Sequence, residues 1–163
     1  MKLPFSLAGA LFAALASTSA LAATDTVTLY VYGTLTLPPC TLTSSKILLA
    51  DFGYLPYNKI DSAPLIDIPV TLNCPANSSL NISIKATNVV QGSTTQASAG
   101  KSNLAYSLLW NSDNTAANVT GVKRSLTKQS GIVDLGLKAK LIATGPLTEG
   151  AFSTTAVISI EFL

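Results

Sequence analysis

The chain has no histidine, two cysteines and only 11% charged residues in a length of 163. Histidine is the side chain that ordinarily exchanges its proton near neutral pH, and it is the commonest metal ligand. Its absence removes the simplest acid–base and metal-binding arrangements. The acids Asp25, Asp51, Asp61, Asp67, Asp113, Asp134, Glu149 and Glu161 are scattered along the chain. Their spacing assembles no nucleophile–base pair and no ligand set. Serine and threonine are plentiful, yet none lies in the G-x-S-x-G pattern of a nucleophile elbow. The expectation is a protein that is not an enzyme and holds no metal or cofactor. An average soluble domain carries about 25% charged residues. Here the formal net charge is +2, and the only basic cluster is Lys123-Arg124, which reads as a solvated turn or strand edge. That excludes a nucleic-acid footprint.

What is present begins with an address. Lys2 gives a short positive region, Leu7 to Ala16 an apolar run, and Ala20-Leu21-Ala22 a small-residue cleavage site. A membrane span needs about 20 apolar residues, which neither this run nor any later one supplies. Residues 1–22 therefore read as a cleaved signal peptide, and Ala23 as the first residue of the exported chain. Cys40 and Cys74 both fall in the exported part, where an isolated pair forms one structural disulfide. A redox or metal pair would call for a C-x-x-C spacing or for histidine, and the chain has neither.

The stretch Thr26 to Thr36 alternates strictly, with Val27, Leu29, Val31, Gly33 and Leu35 on one face and Thr and Tyr on the other. Period two predicts a half-buried β-strand. Pro38-Pro39 follows almost at once and cuts that strand off from the rest, because proline lacks the ladder N–H and restrains its predecessor. A detached strand with an apolar face needs a sheet to join, and the sheet is expected on another copy or a close relative.

Further strands are predicted over 46–52, ending at the turn Asp51-Phe52-Gly53, then over 65–72, 80–84, 104–110 and 131–143. Pro69 marks an edge or bulge in the second of these. Residues 75–79 read as a turn and 91–102 as a mobile polar loop. Phe152, Thr154, Ala156, Ile158, Ile160 and Phe162 alternate to the end of the chain as a last strand. No helix of ordinary length is predicted. Short strands at regular spacing give an all-β sandwich, immunoglobulin-like as the leading arrangement. With its first strand detached, this sandwich is either complete in itself or one strand short. In the second case apolar side chains and unpaired backbone beside the last strand need cover, which strand addition from a neighbour provides.

In this order and at these positions the residues resemble the pilin subunits of chaperone–usher fimbriae, the type 1 and P pilus group of Gram-negative bacteria. The resemblance covers essentially the whole chain: signal peptide, alternating extension with Gly33, Pro39-Cys40, Asp51-Phe52-Gly53, Leu72-Asn73-Cys74-Pro75 and the terminal strand. Its most specific part is Gly150, fourteenth from the C-terminus, with the penultimate Phe162 where the family usually has tyrosine. The resemblance implies an incomplete immunoglobulin-like sandwich over 37–163, lacking its last strand and completed by donor-strand complementation. Residues 23–36 would be the donor extension, with Val27, Leu29, Val31, Gly33 and Leu35 entering a neighbour's groove. Gly150, Phe152, Thr154, Ala156, Ile158, Ile160 and Phe162 would line this chain's own groove, which a periplasmic chaperone fills first. The implied partners are neighbouring pilin subunits, that chaperone and an outer-membrane usher. The implied destination is a cell-surface fimbria that supports cell adhesion.

The competing reading is an exported carbohydrate-binding adhesin domain, in which Trp110 and the nearby Tyr106 stack on a sugar ring. The simpler role for both rings is to fill the sandwich core. In the family a tip adhesin carries an additional receptor-binding domain and no donor extension, a pattern this chain does not follow.

Overall fold

The computed structural model describes residues 25–163. The signal peptide expected at 1–22 lies outside them. Two four-stranded antiparallel sheets make up the fold. In chain order the strands are β1 (Thr41–Leu42), β2 (Ile66–Ile68), β3 (Thr71–Ala86), β4 (Gln96–Lys101), β5 (Leu104–Trp110), β6 (Arg124–Asp134), β7 (Leu137–Ala143) and β8 (Ala156–Phe162). One 3-10 helix, Tyr57–Ser62, packs on β7 and buries Ile60. The compact body comprises residues 35–163.

The first sheet is built on β3. Its alternation puts Leu72, Cys74, Leu80, Ile82, Ile84 and Ala86 inward, each 5% exposed or less. Full burial of a Leu or Ile contributes about 1.5–3 kcal/mol, so this strand anchors the core. One edge of β3 carries β6. The other carries β1 beside Leu72–Asn73 and then β8 beside Leu80–Ala86. The second sheet runs in the order β2-β7-β5-β4. It contributes Ala97, Ala99, Leu104, Tyr106, Leu108, Trp110, Leu137, Ala139 and Leu141 to the same core.

The antiparallel pair 66–74 and 131–139 changes sheets as a unit. Ile66–Ile68 pair with Leu137–Ala139 in the second sheet, and Thr71–Cys74 with Gly131–Asp134 in the first. Between them the Leu135 N–H donates to the Val70 carbonyl at 2.8 Å. The single strands expected over 65–72 and 131–143 are therefore each divided. Pro69, which cannot donate to a ladder, sits at the change of sheet.

Four other expectations are corrected. Residues 75–79 do not turn the chain back. They form an irregularity within β3, where the register shifts on both sides of Ser78 and Asn77 takes φ 65°. The Ser78 hydroxyl donates to the Pro75 carbonyl at 2.8 Å. This bulge separates the part of β3 that serves β1 from the part that serves β8. The loop expected over 91–102 contains β4, whose inward residues are the small Ala97 and Ala99. β6 begins earlier than the strand expected from residue 131, since its first part, residues 124–130, has no buried residue. Residues 46–52 keep their alternation, with Leu48, Ala50 and Phe52 half-buried and Ile47, Leu49 and Asp51 exposed, but form no ladder.

Cys40 and Cys74 form the expected disulfide, closing a sequence separation of 34 residues. It ties the chain just before β1 to the first half of β3.

Candidate functional site

The last strand is where the two layers fail to close. Among the described residues β8 forms a ladder with β3 alone. Its inward side chains Ile158 and Ile160 are only half-buried, whereas Ile82 and Ile84 opposite them on β3 are 1% exposed. Beside β8 lies a cleft of about 990 Å³. One wall is formed by residues 147–156 and Ile158, the other by residues 48–57. Ala99, Leu104, Tyr106, Leu108, Ala139 and Leu141, from the inner face of the second sheet, form its floor. The lining is mainly apolar, with Lys101, Asp51 and Glu149 as its charged members.

Each wall has a local cause. On one side the Gly53 N–H donates to the Asp51 carboxylate at 2.8 Å, an Asx-type turn that leaves Phe52 inward. On the other, the chain leaves the second sheet after Ala143 and crosses to β8. The crossing needs Gly150, which takes φ +128° and would bring a Cβ within 3.0 Å of the Lys101 ammonium. The rings of Phe52 and Phe152 meet between the walls at 6.4 Å. Just before β8, the Thr87 N–H and hydroxyl both donate to the Thr155 carbonyl, at 3.2 and 2.9 Å.

The expected groove residues are thus largely brought together. Gly150, Phe152, Thr154, Ala156 and Ile158 line the cleft. Ile160 and Phe162 lie beyond the lining: Ile160 packs on the core, and Phe162 is 40% exposed at the strand's end. The strand itself is shorter than expected, since residues 152–155 belong to no ladder. The wall over residues 48–57 and the floor were not foreseen as site residues. The alternation of Leu48, Ala50 and Phe52 was the available signal for the wall.

In the single chain the extension joins no sheet. Residues 25–40 form no strand, and the side chains of Val27, Leu29, Val31 and Leu35 are 82–102% exposed. A strand is made by the ladder it joins, and alternation alone does not create one. Among the described residues, none beyond its chain neighbours comes within 4 Å of where a Cβ on Gly33 would stand.

Tyr106 and Trp110 do not form a sugar platform. Tyr106 lies in the cleft floor, where its buried hydroxyl has no hydrogen-bond partner and burial raises its pKa. Trp110 is 8% exposed and lies outside the cleft lining. The Arg124 guanidinium stands 4.7 Å from its ring centroid, held on the other side by Asp113 at 3.6 Å. The guanidinium therefore occupies one face of the Trp110 ring, which is otherwise buried. Among the described residues no cluster of His, Cys, Asp and Glu could hold a metal.

A family model for fimbrial proteins matches residues 29–162, most of the chain, and the chain belongs to this family. Among solved structures it is similar to the P pilus rod subunit PapA, with a TM-score of 0.63 and 20% identity. That match covers 77% of this chain and 100% of PapA. A chaperone–usher pilus whose structure concerns rod uncoiling matches at TM-score 0.63 and 17% identity, covering 85% and 96%. The P pilus adaptor subunit PapF matches at TM-score 0.56 and 20% identity, covering 78% and 98%. No curated relative matches the chain by sequence. The fold is the immunoglobulin-like sandwich of pilins. As a member of this family the chain is a subunit of a fimbria, exported through the periplasm to the cell surface.

Proposed function

We propose that the cleft seats one extended strand supplied by another molecule, and that residues 23–36 are the strand this chain supplies in turn. The supporting observation is the state of β8: an edge strand with a free side, its inward residues half-covered above an apolar floor. A strand laid there adds main-chain hydrogen bonds along β8 and alternate side chains over the floor. The extension suits the task in length. Thr26 to Thr36 has as many residues as Phe152 to Phe162, an extended span of roughly 36–40 Å at 3.3–3.6 Å per residue. In this reading Val27, Leu29, Val31 and Leu35 fill the cleft of a neighbour, and Gly33 lets the two backbones approach closely. Gly150, Phe152, Thr154, Ala156, Ile158, Ile160 and Phe162 receive such a strand, first from the periplasmic chaperone and then from the next subunit.

Each molecule then both gives and receives, a head-to-tail contact that does not close and so builds a filament. Domain roles follow: residues 1–22 are removed on export, 23–36 donate, and 37–163 accept. The chain acts by assembly and performs no catalysis. Deleting residues 23–36 tests this. The deleted chain is expected to cap filaments of the intact chain and to form none itself. Filaments grown from the deleted chain alone would contradict the reading.

A further inference from the structure

The tip of the β4–β5 hairpin belongs to the second sheet, yet it is bonded along the crossing segment that forms one wall of the cleft. Asn103 accepts from the Thr144 N–H at its carbonyl, at 2.9 Å, and its side-chain amide donates to the Pro146 carbonyl at 2.8 Å. Lys101 Nζ donates to the Glu149 carbonyl at 2.9 Å. Gly100, at φ +83°, lies so close to the Ser153 carbonyl that a Cβ would stand 2.1 Å from its oxygen. Three residues at the hairpin tip, Gly100, Lys101 and Asn103, thus meet residues 144, 146, 149 and 153. Residues 144–155 have no ladder of their own. A free crossing segment of that length would sample many conformations. The hairpin tip holds it over residues 144–153, beside the Phe52–Phe152 contact and the Thr87 bonds to Thr155.

We propose that Gly100, Lys101 and Asn103 are positioning residues for strand uptake: they hold the wall over residues 149–153 in place, and this placement determines how long a seated strand stays. The proposal rests on the reading of the cleft as a strand seat. It assigns the control of that seat to the β4–β5 hairpin tip in the opposite sheet. An incoming strand needs the wall at a fixed distance from the floor. A wall displaced outward loses van der Waals contact steeply with each fraction of an ångström.

The test uses the chain from Ala23 onward, freshly refolded, with a fluorescent synthetic peptide of residues 23–36 whose uptake and release are followed by anisotropy. Gly100→Ala pushes the Ser153 carbonyl away. Gly92→Ala is its control, because Gly92 also has positive φ (+78°) but nothing within 4 Å of a Cβ, so it carries the backbone strain without the displacement. Lys101→Met removes the bond to Glu149 and leaves the turn's backbone alone, and Lys101→Arg restores a donor. Melting of each chain without peptide is recorded alongside.

Release from Gly100→Ala is expected to be about tenfold faster than from Gly92→Ala, and from Lys101→Met about threefold to tenfold faster than from the unaltered chain. Lys101→Arg should return release close to the original rate, and the melting temperature of the Lys101 variants should barely move. Equal release from the two glycine variants, or a Lys101→Met chain that keeps the peptide as long as the unaltered one, overturns the proposal. An unaltered chain that takes up no peptide removes instead the strand-seat reading beneath it.

Discussion

The rings of Phe52 and Phe152 stand 6.4 Å apart at an interplanar angle of 50°, and neither residue belongs to a strand. They join the two walls of the cleft across its width. Aromatic pairs in this range of separation contribute about 0.5–1.5 kcal/mol beyond the area they bury. A double-mutant cycle of Phe52→Ala and Phe152→Ala, read by urea unfolding of residues 37–163, should give a coupling of about that size. Additive single effects would mean that the walls are held independently.

The Cys40–Cys74 bridge spans 34 residues and pins the start of β1 to β3. Closing a loop of that length stabilises by about 3–4 kcal/mol in the chain-entropy account. Replacing both cysteines by serine should lower the urea midpoint and steepen the transition, because the unlinked unfolded chain exposes more surface. A loss of under about 1 kcal/mol would show that residual structure already constrains the unfolded chain.

At the end of β8, the Glu161 carboxylate accepts from Lys123 and from Asn81, and its pKa is lowered from the ordinary 4.5, chiefly by the Lys123 bond. Asp113 is likewise lowered from 3.8, by the Thr115 hydroxyl and N–H and then by Arg124. A carboxylate with a depressed folded-state pKa adds stability above its unfolded pKa, and that stability disappears as pH falls through the folded value. The domain should therefore lose stability progressively below the ordinary carboxylate range. Glu161→Gln together with Asp113→Asn should flatten that decline. Both sites are exposed, so added salt should shrink the difference. An unchanged acid profile in the double variant would place the pH dependence elsewhere.

Much of this architecture was legible where the two faces of a strand differ chemically. The second half of β3 (Leu80, Ile82, Ile84) and β8 (Ile158, Ile160) declare themselves by period two alone. Trp110 and Tyr106 mark β5 by their bulk. β4 was hidden because its buried residues are Ala97 and Ala99, set among serine, glycine and glutamine that read as loop. The first part of β6 was hidden for the opposite reason: it covers β3 with mostly exposed polar residues, and the strand breaks its own pattern at Lys128 and Gly131, both with positive φ. Residues 46–52 and Thr26 to Thr36 show the limit of alternation. It identifies chain fit for a sheet, but the ladder depends on a partner, and a partner is a tertiary or intermolecular fact. The cleft was legible in part for the same reason. The side chains of Phe152 to Ile158 announce an apolar wall, whereas the opposing wall over residues 48–57 and the clasp from Gly100 to Asn103 arise only when distant segments meet.

The central claim is that the sandwich lacks a strand and that residues 23–36 are of the kind that supplies it. The most direct measurement is thermal unfolding of residues 37–163 with and without a synthetic peptide of residues 23–36, with size-exclusion chromatography to follow the species present. A ligand at a thousandfold its dissociation constant stabilises by about 4 kcal/mol, so saturating peptide should raise the melting temperature by on the order of 10 °C and hold the domain as a stable monomer. The same peptide with Gly33 replaced by tryptophan should raise it far less. A domain that is already stable and monomeric, and whose melting is unmoved by the peptide, would contradict the claim.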